Sequence, residues 1–248
     1  MKVKDILEFL NQKFPIDTAL SFDNVGLLIG DSEQTVTKAV VSLDCTTSAI
    51  KTALQNGAEL IITHHPVIFE PLKNILKGSI AYEIVKNGLS VISMHTNLDI
   101  GKDGVNDTLC EFLSPLSVET VIANDGFPLK KCSVSPIYAD DLAGKLKTSL
   151  GGCIKYTDSQ RKIENVLVCC GSGGGYIGEV QNFGCDALLT ADVKHNQFID
   201  SQTFGVSLFD AGHFNTENII VEPLKELLET EFSNISFITH HNDAIKNR

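Results

Sequence analysis

Short apolar runs alternate with amphipathic stretches along this chain, and glycines or polar turns separate them. Lys38–Leu43, Ala58–Thr63 and Leu89–Met94 have the length and β-branched content of buried strands. Between them, Thr46–Asn56 is predicted as a helix stopped by Gly57, and a second helix is expected around Ser79–Asn87, stopped by Gly88. A β-α-β-α-β order implies parallel strands joined by right-handed crossovers. The pattern then returns, with strands at Asn165–Cys170, Ala187–Thr190 and Val206–Phe209. Helices are predicted at Tyr176–Phe183, before Gly184, and near Lys194–Ser201. The N-terminal MKVKDILEFLNQKF reads as an amphipathic helix rather than a signal peptide.

The recurrence extends to residue identities. Gly57-Ala-Glu-Leu-Ile-Ile-Thr63-His64 parallels Gly184-Cys-Asp-Ala-Leu-Leu-Thr190-Ala191, and His95-Thr-Asn-Leu-Asp99 parallels His213-Phe-Asn-Thr-Glu217. Two matches in the same order point to an internal duplication. The expected halves are 1–125 and 126–248, joined at the turn-rich Asn124–Gly126 and Pro128. Two such halves facing each other would form a cleft between their strand ends, where open α/β sheets place their sites.

Histidines and carboxylates gather at those strand ends. His64 and His65 follow one apolar run in ITHHP, Asp99 closes HTNLD after another, and GHFNTE places His213 and Glu217 after a third. Any one of these histidines alone reads more readily as a hydrogen-bonded core residue than as a ligand. Together, in a duplicated frame, they point to metal. Neighbours on an extended chain point to opposite sides, so His64 and His65 are expected to serve different ions. A His-x-x-x-Glu pair on a helical turn shares one face, which makes His213 and Glu217 a chelating unit. Five ligands exceed the needs of one zinc ion and suit two ions sharing a bridging carboxylate, for which Glu217 is the choice, and a water. Imidazole and carboxylate donors suit zinc, iron, manganese or nickel. His95 either ligates or orients a ligand or bound water.

Weaker candidates surround this set. Gly171, Ser172 and Gly173 in GSGGG form a candidate anion-binding loop, although a tight strand-to-helix turn explains them more simply. The Ser21–Gly26 loop and Asp44 could face the cleft, or serve only as a turn and a helix cap. Asp192, Lys194 and His195 are further second-half candidates, and the His240–His241 pair is left out.

Composition narrows the function classes. At 248 residues and 43 % apolar the chain is a globular protein with ample core, and no apolar stretch is long enough to span a bilayer. A net charge of −11 argues against nucleic acid as a partner, since phosphate contacts need clustered cations. Seven scattered cysteines without a CxxC pair suggest reduced thiols and a cytoplasmic location.

The segments SFDNVGLLIG, ITHHP, HTNLDIGKDGVND, GSGGG, LLTADVKH and DAGHFNTE, in this order, resemble the GTP cyclohydrolase 1 type 2 homologues, also called NIF-three-like dinuclear metal-centre proteins. The resemblance covers nearly the whole chain. It departs at Phe22, Ala191, Asn196 and Phe214, where the family commonly carries Trp, Gly, His and Tyr. It implies an α/β fold of two similar, interlinked three-layer domains with the metals in the cleft between them, and a toroidal homohexamer. It also carries ligand roles onto His64, His65, Asp99, His213 and Glu217. The expected function is a metal-dependent hydrolase of a small, nucleotide-like substrate holding two divalent ions. The alternative is a non-enzymatic metal carrier or regulatory scaffold.

Overall fold

The computed structural model describes residues 1–245. The chain forms two compact units, one of Met1–Lys102 with Ile220–Ala244, the other of Asp103–Ile219 with Ile245.

The first unit opens with helix α1 (Val3–Lys13), which buries Val3, Ile6 and Leu10 on one face. Strand β1 (Gly26–Ile29) follows, and β2 (Lys38–Ser42), α2 (Thr47–Asn56), β3 (Leu60–Thr63), α3 (Ile80–Lys86) and β4 (Ser90–Ser93) reproduce the predicted alternation. The Thr46 side chain caps α2 by accepting from the Ala49 amide at 3.1 Å. A short helix α4 (Thr96–Ile100) follows β4 directly. The near-continuous apolar runs have their expected consequence, since every residue of β3 and β4 is buried. Ile50 and Ala53 of α2 and Ile84 of α3 pack with Val40, Ile61 and Val91 of the strands.

The second unit contains α5 (Val105–Glu111), β5 (Ser117–Ile122), β6 (Pro128–Ile137), α6 (Ala139–Leu150), β7 (Lys155–Tyr156), β8 (Ile163–Val168), β9 (Ala187–Thr190), α7 (His195–Phe204), β10 (Ser207–Asp210) and α8 (His213–Glu217). Its sheet runs in the order β5-β6-β8-β9-β10-β7, with β8, β9 and β10 parallel and the other pairings antiparallel. The predicted helix Tyr176–Phe183 is instead two 3₁₀ stretches, Gly174–Glu179 and Gln181–Phe183. Gly178 lies inside the predicted segment, where it weakens an α-helix by about 1 kcal/mol relative to alanine, and Gly174 and Gly175 open the first 3₁₀ stretch.

The chain then re-enters the first unit through α9 (Val221–Glu231) and β11 (Ser236–His240). Strand β11 pairs in parallel with β2, from Ser236 against Lys38 to His240 against Ser42, completing the order β1-β4-β3-β2-β11. Residue 125 therefore lies inside the second unit, and the last helix and strand belong with the first. The physical reason is the edge of β2, whose backbone groups β11 satisfies. Each unit is α/β with three consecutive parallel strands at its centre, and a further strand runs antiparallel to the third of them, β1 on β4 and β7 on β10. The duplication read from residue identities is therefore also one of architecture. Among the described residues no helix is long and apolar enough to cross a membrane.

Candidate metal centre

Strand β3 stops at Thr63, and the chain bends through His64 and His65. Parallel-ladder bonds continue past the strand, from the His64 amide to Ser42 O and from the His65 amide to Leu43 O. The Thr63 hydroxyl donates to His65 O at 2.8 Å and holds the bend. Both rings consequently lie together, with centroids 4.9 Å apart, rather than on opposite sides as an extended chain would place them. The bend is what overrides the strand's alternation.

His95 follows β4 and joins the pair. Its ring centroid lies 5.2 Å from His64 and 5.7 Å from His65. His64, His65 and His95 each offer one ring nitrogen within 4.8 Å of the others. Asp99 stands one helical turn on from His95 in α4, and its Oδ1 lies 3.3 Å from His64 Nε2. His64 and Asp99 are buried.

The orientation of the rings is the informative feature. His64 Nδ1 donates to Met94 O at 2.9 Å, His65 Nδ1 to Asp44 at 2.7 Å and His95 Nδ1 to Asp23 at 2.8 Å. Carbonyl and carboxylate oxygens only accept, so each Nδ1 carries the proton and each neutral ring keeps its lone pair on Nε2. Burial pushes the Asp23 carboxyl up, but hydrogen bonds from His95 and from the side chain and backbone of Thr96 outweigh it and hold the group well below the usual carboxylate range. Asp23 is therefore a permanent acceptor at neutral pH.

The second unit builds the same arrangement. His213 opens α8 and Glu217 lies one turn on, with His213 Nε2 2.8 Å from Glu217 Oε2. His213 Nδ1 donates to Asp192 at 2.7 Å. Glu217 is 3 % exposed. Gly171 makes room for it: at a φ of +56° its backbone approaches the carboxylate so closely that a Cβ would lie 2.2 Å from Oε1.

These residues fit a metal. A neutral imidazole lone pair facing a carboxylate oxygen is repulsive unless a proton or a cation lies between them. Two donors of one ion with bonds near 2.1 Å stand about 3 Å apart, as His64 with Asp99 and His213 with Glu217 do. The ring-orienting oxygens are the partners that metal-binding histidines use.

The other sequence candidates divide. Asp44 and Asp192, read only as weak possibilities, hold the rings of His65 and His213. Asp23 emerges from the Ser21–Gly26 loop as the partner of His95, 72 residues away, a pairing with no sequence signal. In the GSGGG loop the Gly171 amide donates to Thr216 Oγ1 at 3.4 Å and the Gly173 amide to Thr190 Oγ1 at 2.8 Å, while Ser172 is exposed. Those two amides are used inside the fold, as in a tight turn. Lys194 and His195 are exposed at the start of α7, where the Lys194 amide donates to Gln197. His240 bonds to Ser48 and Thr52. A cavity of about 330 Å³ adjoins His65 and is lined by Asp44, Cys45, Thr46 and Val67.

Comparison with known proteins gives a consistent result. The GTP cyclohydrolase 1 type 2 homolog of Clostridium perfringens is 33 % identical, over 96 % of this chain and 95 % of that protein. The GTP cyclohydrolase 1 type 2 of Helicobacter pylori is 34 % identical over 92 % of each. A crystal structure of a Staphylococcus aureus hypothetical protein superposes with a TM-score of 0.91 at 26 % identity, covering 100 % of this chain and 99 % of that one. Residues 1–245 match the family described as Duf34/NIF3 (NGG1p interacting factor 3), and the chain belongs to that family.

Proposed function

We propose that the protein is a dinuclear metal-dependent hydrolase that opens the imidazole ring of a guanine nucleotide. In this reading His64, His65, Asp99, His213 and Glu217 together hold two divalent ions, drawn from zinc, iron, manganese or nickel. The observation that carries it is the shared orientation of His64, His65 and His213, each with Nδ1 bonded to an oxygen and Nε2 left to face a cation. The names of the relatives support the reaction class.

Bound divalent ions would lower the pKa of water and polarise the substrate. The protein's own residues do the rest. Asp44, Asp192 and Met94 O fix the rings of His65, His213 and His64 and so orient the nitrogens that would hold the ions. His95, held by Asp23, keeps Nε2 available to accept and return a proton. The net reaction adds water across a C8–N bond, and hydrolysis of the resulting formamide releases formate. The toroidal homohexamer expected from the resemblance belongs to the same proposal.

The test is metal content by plasma mass spectrometry with a formate-release assay on GTP, comparing the parent with Glu217→Ala. About two ions per chain and formate release, both lost in Glu217→Ala, are expected. Formate release that survives removal of the metal would overturn the proposal. Absence of turnover, with ions passed readily to an acceptor, would replace it with a metal carrier.

A further inference from the structure

Two phenylalanines stand in solvent beside the histidine cluster of the first unit. Phe22 is 61 % exposed and Phe69 46 %. Their ring centroids are 6.1 Å apart at a tilt of 59°. Phe69 also meets His95 edge to face, at 6.2 Å and 86°. A single exposed apolar side chain is ordinary, but these two are built into the scaffold that orients His95. Phe22 immediately precedes Asp23, whose carboxylate accepts from His95 at 2.8 Å and from the Thr96 amide at 3.0 Å. Asn24 Nδ2 donates to Ile68 O at 2.6 Å and ties the loop bearing Phe22 to the loop bearing Phe69. The loops that carry the rings are thus tied to each other and to an imidazole of the candidate centre.

A phenyl face offers little to a sugar hydroxyl or a phosphate. It offers stacking to a planar, π-rich ring, whichever base that ring belongs to. We infer that Phe22 and Phe69 form a stacking platform for the nucleobase of the substrate, setting its ring beside His95. This rests on the nucleotide-hydrolase reading and adds to it the residues that select a base over other phosphate esters. They act as positioning residues, so their loss is expected in KM more than in kcat.

The chain contains no tryptophan, so Phe22→Trp installs a single fluorophore on the platform. The full-length, metal-loaded Phe22→Trp protein would be titrated with guanosine, GTP and inorganic tripolyphosphate. Guanosine and GTP are expected to quench the fluorescence saturably and tripolyphosphate to leave it unchanged. Phe69→Ala in that background is expected to weaken guanosine binding about tenfold. In the otherwise native protein, Phe22→Ala and Phe69→Ala should raise the KM for GTP with metal content and circular dichroism unchanged. No response to guanosine, equal quenching by tripolyphosphate, or undiminished binding in the Phe69→Ala background would each overturn the platform. Saturable guanosine quenching in a protein that turns over no nucleotide would support the platform and remove the hydrolase. Turnover with an unchanged KM in both alanine variants would remove the platform and leave the hydrolase standing.

Discussion

Replacing Gly171 with alanine separates backbone strain from displacement of the Glu217 carboxylate. The residue sits at a φ of +56°, and a Cβ would meet Glu217 Oε1 at 2.2 Å and His213 Cε1 at 3.4 Å. Gly184 supplies the control, since it has a φ of +63° and nothing within 4 Å of its would-be Cβ. Gly184→Ala therefore incurs only the left-handed penalty, about 1–2 kcal/mol. Gly171→Ala incurs the same penalty and must also displace the buried Glu217 carboxylate, which overpacking data place at about 1–3 kcal/mol more. In a chain of this length 1 kcal/mol corresponds to roughly 2–4 °C in Tm. Thermal unfolding of the metal-free proteins should show a loss of about 2–8 °C for Gly184→Ala and a further 2–12 °C for Gly171→Ala. Metal content gives the second readout: Gly171→Ala should lose ions and Gly184→Ala should keep them. Equal Tm losses with equal metal content would refute the claim that Gly171 is there to seat Glu217.

Other outcomes follow from neighbouring contacts. Asp44→Asn and Asp192→Asn remove the charged acceptors from His65 and His213; chelator competition should show metal affinity about 10–100-fold lower with the circular dichroism spectrum unchanged. Cys153 is the exposed thiol among the described residues, whereas burial, aided by Asp44, pushes Cys45 up to about 12, and burial does the same to Cys185. One thiol per chain should react quickly with a disulfide reagent at neutral pH, and several fast thiols would contradict the burial. Glu59 accepts from the amides of Thr37 and Lys38 and from the Thr37 hydroxyl. Burial raises its pKa, but these bonds outweigh that and leave it below its ordinary value. The unfolded chain then binds the proton more readily, so Glu59 contributes stability above about pH 4.3 that is lost as pH falls through its lower folded pKa. The stability gap between the parent and Glu59→Gln should narrow from pH 6 to pH 3; a gap independent of pH would count against the role.

The parts legible in the sequence share a short range. His213 and Glu217 are four residues apart, and helical geometry alone puts them on one face, as the 2.8 Å contact confirms. The runs at β3, β4 and β9 announced buried parallel strands because they are mostly apolar and no charged residue interrupts them. Helix α2 was marked by the glycine that stops it. Gly184 likewise stops the segment before it in a left-handed conformation, but that segment forms 3₁₀ turns rather than an α-helix.

What the sequence by itself determined is therefore the type and order of the central elements, the duplicated frame and the turns that carry the candidate histidines and carboxylates. These depend on side-chain periodicity and on i, i+4 spacing, which are local properties of a chain. Only the tertiary structure decided which oxygen orients each imidazole, that His64 and His65 lie together, and that β11 returns to pair with β2. Asp23 meets His95 across 72 residues of chain, and no spacing along the sequence encodes that meeting. It arises because burying the apolar strands brings their polar ends to a common edge, where a buried donor must find whichever acceptor the fold delivers.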